Sequence, residues 1–176
     1  MLRYRPARPA RASWNVFKTL LFLALFWFVF LLVLPIAVSV VEVELGIQRF
    51  PGQPLPAVIG LVAFTLLGLA AAVTLAIAGQ GTPAPFDAPR TFVVRGPYAF
   101  VRNPLVIASI GQGVALGVTL GSVPVLAYFS TSLIVWYFLI RPAEERDLDA
   151  RFGKAWRDYA RNVRAFRPRL TPYRGK

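Results

Sequence analysis

Long uncharged stretches separated by short charged segments give the chain its pattern. Residues 19–41 are 23 consecutive uncharged positions, rich in Leu, Phe and Val. A helix of about 20 apolar residues crosses the roughly 30 Å hydrocarbon core of a bilayer. A second uncharged stretch, rich in Ala, Gly and Leu, covers about 55–79. Each of the two stretches therefore predicts one transmembrane helix.

A third uncharged stretch, residues 103–140, is too long for a single crossing. Gly121-Ser122-Val123-Pro124 lies in its middle. Such a run favours a tight turn, and one long helix would have to carry the proline in its interior. The pattern therefore predicts two short helices, over about 104–119 and 124–140, and four spans in total.

Beyond residue 140 the apolar positions recur at spacings of 4, 4, 3 and 4, which is the period of a helix. They are Leu148, Phe152, Trp156, Tyr159 and Val163. The basic residues of this segment lie mostly off that stripe, so we expect an amphipathic cytoplasmic helix at the membrane surface or against the ends of the spans. The predicted fold is an all-α integral membrane protein with four transmembrane helices and this C-terminal helix. Residues 19–176 form one membrane domain after a basic N-terminal tail, 1–18.

The charges agree with that arrangement. The chain has 20 Lys and Arg against 8 Asp and Glu, and a mean hydropathy of +0.56. Of the basic residues, 19 lie in 1–18, 80–102 and 141–176. With four spans these segments share one side, which the positive-inside rule makes cytoplasmic. We expect a bacterial cytoplasmic membrane, both termini in the cytoplasm, and a net charge of +12 that sets topology rather than binding nucleic acid.

The chain contains neither His nor Cys. That composition excludes a disulfide framework, a zinc site with the usual ligands, a thiol nucleophile and an imidazole base. We therefore expect no metal site. Any chemistry has to use carboxylates, Arg, Lys, Tyr, hydroxyls, amides and a bound cofactor.

The segment from Gly79 to Pro104 reads GQGTPAPFDAPRTFVVRGPYAFVRNP, and its Gly and Pro content argues against a regular helix. Asn103 before Pro104 predicts the N-terminus of the third span, with Asn103 as the N-cap. The same helix N-terminus could instead bind an anionic ligand group. Arg102 is either a bidentate partner for such a group or an anchor at the lipid headgroups.

Two adjacent acids, Glu144 and Glu145, stand just beyond the fourth span. Acidic residues at this position are unfavourable unless they pair with a positive charge or a hydrogen-bond donor. One interpretation pairs them with Arg141 or a neighbouring Arg; the other has them bind a cation, or an amine and a ribose. Asp147 and Arg151 are expected to form an exposed i,i+4 ion pair.

These motifs, taken together, carry a family resemblance. RGPYAFVRNP is followed by a membrane hairpin and then by EE-x-x-L-x-x-x-FG-x-x-W-x-x-Y-x-x-x-V. This order resembles the isoprenylcysteine carboxyl methyltransferase and phospholipid methyltransferase family of integral-membrane enzymes, over about residues 79–170. The resemblance implies S-adenosylmethionine as cofactor and methyl transfer to a lipid-borne or membrane-soluble acceptor at the cytoplasmic face.

The resemblance also implies the site residues. Those expected to enclose the cofactor are Gly96, Pro97, Tyr98, Val101, Arg102, Asn103, Pro104, Leu105, Glu144 and Glu145. Arg102 and Asn103 would be catalytic. The expected acceptor-binding residues are Thr82, Phe86, Arg90 and Tyr159. A carboxylate acceptor is favoured over an amine because an ionised carboxylate needs no general base and the chain has no His.

The chain departs from the family pattern at Val106 and Ala108, where the family commonly has Tyr and Gly. Two other functions therefore stay open. One is a non-catalytic membrane protein that binds lipid or a partner. The other is a membrane reductase with a similar C-terminal core that binds NADPH.

Overall fold

The computed structural model describes residues 4–175 and is built from four long helices. They are α1 (Ala12–Glu44), α2 (Pro54–Ala78), α3 (Pro104–Leu120) and α4 (Val123–Asn162). Helix α1 is π-helical over Phe28–Val33 and α4 over Trp136–Ile140. Two short 3-10 helices, Pro85–Asp87 and Gly96–Ala99, lie between α2 and α3. No β-strand occurs within residues 4–175.

Within this described part, α1, α2 and α4 are each long and apolar enough to cross a membrane, and α3 is apolar but shorter. The uncharged part of α4 is 123–140, and its charged residues begin at Arg141. Large apolar side chains point outward from these helices, with Leu55 73% and Phe138 68% exposed. Such outward faces suit a lipid bilayer and confirm the prediction of a helical membrane protein.

Helices α2 and α3 pack closely through small residues. A Cβ on Gly68 would lie 3.3 Å from the Cβ of Ala108, so the two backbones approach tightly at this point. Farther along the same contact, Gln112 Nε2 donates a hydrogen bond of 2.9 Å to Thr65 Oγ1. This pair of helices holds both ends of the irregular segment 79–103.

The turn between α3 and α4 lies where the sequence predicted it. Gly121 closes α3 in the left-handed conformation, with φ at +63°. Ser122 caps α4, because its Oγ accepts a hydrogen bond of 3.1 Å from the Val125 N–H. These two residues account for the division of the long apolar stretch.

The charged tail differs from the prediction of a separate helix. Residues 141–152 continue α4 directly, and the backbone leaves helical geometry at Gly153, where φ is +50° and ψ is −118°, before it returns to a helix up to Asn162. A proline inside a helix clashes with the carbonyl four residues earlier. The wider π-helical turn immediately before Arg141 leaves room for Pro142, so the helix passes the predicted boundary.

The tail folds over the segment that precedes α3. All five residues of the predicted apolar stripe belong to one cluster, which also contains Phe92, Val94 and Tyr173. Backbone hydrogen bonds also join the tail to the segment before α3. Arg102 N donates to Arg164 O at 3.0 Å, and Tyr173 N donates to Ala99 O at 2.8 Å.

The N-terminal segment is part of the fold rather than only a basic tail. Its backbone runs along residues 85–88 and forms a parallel bridge between Pro6 and Ala88. Ala7 N donates to Ala88 O at 2.9 Å, and Ala88 N donates to Arg5 O at 2.8 Å. An ion pair of 2.6 Å between Lys18 and Asp87 fastens the same loop to α1.

Candidate functional site

A cavity lies at the end of the bundle where the charged segments meet. Its walls come from five parts of the chain: Tyr4, Leu75 of α2, the loop 83–93, residues 98–106 at the start of α3, and the charged part of α4 from Glu144 to Tyr159. The bonds that hold the tail and the N-terminal segment in place therefore also build the cavity.

Aromatic rings line one side of this cavity. The Phe92 ring lies 5.2 Å from that of Phe152, 5.3 Å from Tyr159 and 6.2 Å from Trp156, measured between ring centres. Tyr159 is buried, and its hydroxyl donates a hydrogen bond of 2.7 Å to the carbonyl oxygen of Tyr98. The wall therefore offers π faces, which attract cations.

The two adjacent acids have different surroundings. Glu145 Oε1 accepts hydrogen bonds from Arg102 Nη1 at 3.1 Å and from Arg141 Nε at 2.9 Å. Within the described part of the chain, the side-chain carboxyl of Glu144 makes no ion pair and no hydrogen bond. The interpretation as an ion pair thus holds for Glu145 and fails for Glu144.

Glu144 is a half-buried carboxyl group on the cavity wall. Burial, and then the negative charges of Glu145 and Asp147, raise the pKa of Glu144 to about 7, against a smaller opposing effect of Arg151. Burial disfavours an ionised carboxylate unless a positive charge or a donor accompanies it. A cationic or hydrogen-bond-donating ligand in the cavity would supply what this group lacks.

Asp147 and Arg151 form the expected ion pair, but not on an exposed surface. Arg151 Nε donates to Asp147 Oδ2 at 2.7 Å, and Arg151 Nη1 donates to Pro89 O at 2.6 Å. Their side chains are only 18% and 19% exposed, and both line the cavity. The prediction of an exposed pair was wrong because the loop at Pro89 covers this face of α4.

Arg102 points into the protein rather than toward lipid headgroups. Its side chain is 12% exposed, and its guanidinium carbon lies 5.5 Å from the centre of the Trp156 ring. Burial lowers the pKa of Arg102, although Glu145 opposes that effect. The buried Nε–H has no acceptor within residues 4–175, so the hydrogen-bonding capacity of this guanidinium is not fully used.

Asn103 precedes the first residue of α3, as the sequence predicted, but its side chain does not cap that helix. Asn103 Nδ2 instead donates to Ala165 O at 3.4 Å, in the tail that covers the site. The capping prediction was wrong because the side-chain amide of Asn103 bonds to the tail and not to the N–H groups of the first turn of α3.

The structure brings together eight of the residues that the sequence singled out. Those on the cavity wall are Tyr98, Arg102, Asn103, Pro104, Leu105, Glu144, Glu145 and Tyr159. Val106, one of the departures from the family pattern, is also on the wall. The other departure, Ala108, is buried against α2 and away from it.

Six of the singled-out residues are not on the wall, namely Gly96, Pro97, Val101, Thr82, Phe86 and Arg90. Gly96 has a φ of +55°, and a Cβ there would lie 2.8 Å from Thr74 Oγ1, so its role is a close approach to α2. Thr82 Oγ1 bonds within its own turn, donating to Asp87 O at 3.3 Å. Phe86 is 70% exposed and Arg90 is also exposed.

Sequence reasoning missed several residues of the wall. Tyr4 was assigned to a topology-setting tail, and Phe92 was not singled out. Tyr4 is the first aromatic residue of a segment otherwise made mostly of Arg, Pro and Ala. That contrast was the available signal for Tyr4.

Comparison with known proteins gives a partial match. No protein-family model matches the chain. The chain is similar to the cobalt-zinc-cadmium resistance protein CzcN of the bacterium Cupriavidus metallidurans, with 34% identity over 86 residues. The aligned region is 49% of this chain and 39% of CzcN. The chain thus matches about two fifths of the length of a bacterial protein.

Proposed function

We propose that this protein is a membrane methyltransferase that uses S-adenosylmethionine and acts on a lipid-borne or membrane-soluble acceptor. The observation that carries the proposal is the unpaired carboxyl of Glu144, in a cavity whose other acids have Arg partners. The resemblance of the 79–170 motifs supplies the chemical class, and the cavity joins the two motif segments.

The donor set of the cavity fits this cofactor. S-adenosylmethionine carries a sulfonium, an α-amine, a ribose diol and a carboxylate. Glu144 can accept hydrogen bonds from the amine or the ribose, and the aromatic wall suits the sulfonium. The guanidinium of Arg102, on the cavity wall, can donate to the carboxylate.

The bound cofactor would supply an electrophilic methyl group for an in-line displacement. The contribution of the chain is then positioning and exclusion of water. The ring cluster around Phe92 and the covering tail exclude water, and the bonds of Glu145 fix the guanidinium of Arg102. Arg102 and Asn103, on the wall at the start of α3, are the residues that we assign to the reacting groups.

A carboxylate is the acceptor that this residue set favours. It is ionised at neutral pH and needs no base. An amine would have to lose a proton, and Glu144, with its pKa raised to about 7, is the available base. The acceptor therefore belongs to one of these two classes.

The same proposal includes the topology. Helix α3 would be a fourth, shorter span, and the charged part of α4 an amphipathic cover at the cytoplasmic face, with both termini in the cytoplasm. Reporter fusions at each terminus and at Gly121 test it. We expect cytoplasmic signals at both termini and the opposite at the turn; a periplasmic N-terminal reporter would overturn it.

Calorimetry with purified protein and S-adenosylmethionine tests the cofactor. Glu144→Gln should weaken binding at least tenfold, because a hydrogen bond to a charged group contributes about 1.5–3 kcal/mol. Glu44→Gln removes an exposed acid near the far end of α1 and should leave binding unchanged. Equal binding by both variants would remove Glu144 from the site.

The two rival functions give different results. A reductase would bind NADPH, whereas we expect none. A non-catalytic protein would transfer no labelled methyl group from S-adenosylmethionine into a membrane lipid extract, whereas we expect transfer. The name of CzcN describes metal resistance in that protein. A metal-binding role here would need ligands other than His and Cys, which this chain lacks.

A further inference from the structure

The N-terminal segment brings a phenol to the cavity. Tyr4 is half-buried and lies on the same wall as Glu144 and Asp147. Burial and the charges of these two acids raise the pKa of Tyr4, so its hydroxyl stays protonated at neutral pH. A protonated phenol among carboxylates adds a hydrogen-bond donor to this side of the site.

The backbone next to Tyr4 is fixed to the loop on the opposite side from α4. Three hydrogen bonds join residues 5–7 to residues 85–88, including one of 2.7 Å from Arg5 N to Pro85 O. Ala7 is buried in this contact, whereas Ala10 is exposed and its N–H makes no backbone hydrogen bond within the described residues. The hydrogen bonds between residues 5–7 and 85–88 end before α1 begins. They therefore fix the position of Tyr4 rather than the start of α1.

We propose that Tyr4 is a ligand-contacting residue which closes the cavity beside Glu144, and that the hydrogen bonds of residues 5–7 hold it in that place. Only the identity of the ligand rests on the proposed function; the closing contact does not. The basic residues Arg5 and Arg8 of the segment are exposed and do not line the cavity. Positive charge sets the side of the membrane, while Tyr4 and Ala7 serve the site.

The natural absence of Cys allows a direct test of the wall. Leu148→Cys places a single thiol on the cavity wall, and its reaction rate with a water-soluble maleimide reports how open the cavity is. Ala7→Pro removes the N–H that binds Ala88 O. Ala10→Pro is the matched control, since each substitution places a second proline directly after an existing one.

We expect Ala7→Pro and Tyr4→Ala each to raise the labelling rate about five- to tenfold, as the loss of one or two hydrogen bonds or a ring contact predicts, and Ala10→Pro to leave it unchanged. Equal rates in Ala7→Pro and Ala10→Pro, or an unchanged rate in Tyr4→Ala, would overturn the proposal.

Calorimetry with S-adenosylmethionine separates this inference from the proposed function. Tyr4→Phe keeps the ring and removes the hydroxyl, so it should leave the labelling rate unchanged and weaken binding about threefold or more. If the wild-type protein binds no S-adenosylmethionine while Tyr4→Ala accelerates labelling, the proposed cofactor is wrong and the wall stands. If binding is normal in Tyr4→Ala, Tyr4 is not a ligand contact.

Discussion

Two carboxyl groups, one buried and one half-buried, lie at opposite ends of the molecule and differ in what surrounds them. Near the end of α1, Glu42 is fully buried, and its Oε2 accepts hydrogen bonds from Ser122 Oγ at 2.8 Å and from Arg49 Nε at 3.1 Å. At the cavity end, Glu144 has no such partner within residues 4–175. We refer to the first region, residues 42–53 with 118–123, as the turn end.

The difference separates a structural polar group from a candidate functional one. At the turn end, Glu42 and Arg49 join α1 to the α3–α4 turn, and Phe50 N adds a bond of 2.9 Å to Gly121 O. These partners of Oε2 offset part of the cost of burying the charge, while Oε1 has no hydrogen-bond partner within residues 4–175. At the cavity end the Glu144 carboxyl has no such bonded partner among the same residues, so its ionised form is costly in the protein alone.

The largest expected effect is at the turn end. Glu42→Ala leaves Ser122 and Arg49 without their shared acceptor, and removing one partner of a buried ion pair costs about 3–5 kcal/mol. Arg49 is partly exposed, so we expect the lower part of that range. Thermal unfolding of the purified protein should show a large fall in the midpoint for Glu42→Ala and none for Glu144→Ala.

Glu42→Gln is the control, because its amide oxygen can still accept from Ser122 and it should lose less stability than Glu42→Ala. A fall for Glu144→Ala as large as that for Glu42→Ala would show that Glu144 has stabilising partners, and the contrast between the two ends would then be wrong.

The second effect concerns pH at the cavity end. Because the fold raises the pKa of Glu144 from 4.5 to about 7, the folded protein binds more protons than the unfolded chain between these values. The free energy of unfolding therefore falls as pH rises through this window. Glu144→Gln removes the effect, so above pH 7 the variant should be more stable than wild type by up to about 3 kcal/mol, and below pH 4.5 it should be equal.

Thermal midpoints of both proteins between pH 4 and pH 8.5 measure this difference. Asp147→Asn is the matched control, because it removes the negative charge that is paired with Arg151 and should destabilise the protein. A Glu144→Gln midpoint that stays below that of wild type at pH 8 would contradict the unpaired state of Glu144.

The helical part of this fold was predictable because it follows from local pattern. The lengths of the uncharged stretches predicted the bounds of the long helices to within a few residues, except where α1 and α4 extend into polar sequence. The turn at Gly121 and Ser122 was predictable because a left-handed Gly and a Ser cap depend only on residues within four positions of each other. The helix period likewise predicted which tail residues would cluster together.

The candidate site was predictable only in its motif residues. Tyr98, Arg102 and Glu144 were singled out, but that Glu145 and not Glu144 would bind Arg102 depends on how α4 is rotated beyond its π-helical turn. The role of Asn103 depends on a carbonyl 62 residues away. Tyr4 reaches the site through backbone bonds to a loop some eighty residues later. No local pattern encodes such long-range contacts.

A third, smaller effect compares two glycines. Gly46 follows the end of α1 with a φ of +65°, and Gly153 interrupts α4 with a φ of +50° and a ψ of −118°. A Cβ would meet nothing within 4 Å at either position, so only the backbone conformation is tested. An Ala at Gly46 should cost about 1 kcal/mol, whereas Gly153→Ala should cost about 2–3 kcal/mol, since its conformation is nearly exclusive to glycine.

Unfolding midpoints of the two variants measure these costs. Gly153→Ala should also raise the maleimide reactivity of Leu148→Cys, because the tail beyond the kink carries Trp156 and Tyr159 onto the cavity. Gly46→Ala should not. Equal costs and unchanged reactivity would mean that the bend at Gly153 contributes nothing to the cover of the site.

The smallest effect distinguishes two arginines that bind carboxylates, Arg49 and Arg102. Arg49 binds a single carboxylate oxygen through Nε and Nη2, a charge contact that a lysine ammonium can largely replace. Arg102 binds Glu145 and also stacks over Trp156, and a lysine keeps the charge but loses the planar contact. We expect Arg102→Lys to cost about 1 kcal/mol, and Arg49→Lys about half of that. In a Trp156→Leu background Arg102→Lys should lower the stability by almost nothing further, because the ring on which Arg102 stacks is gone. An unchanged loss of stability in that background would assign the loss to the contact with Glu145. The two ends of the molecule would then hold their arginines in the same way.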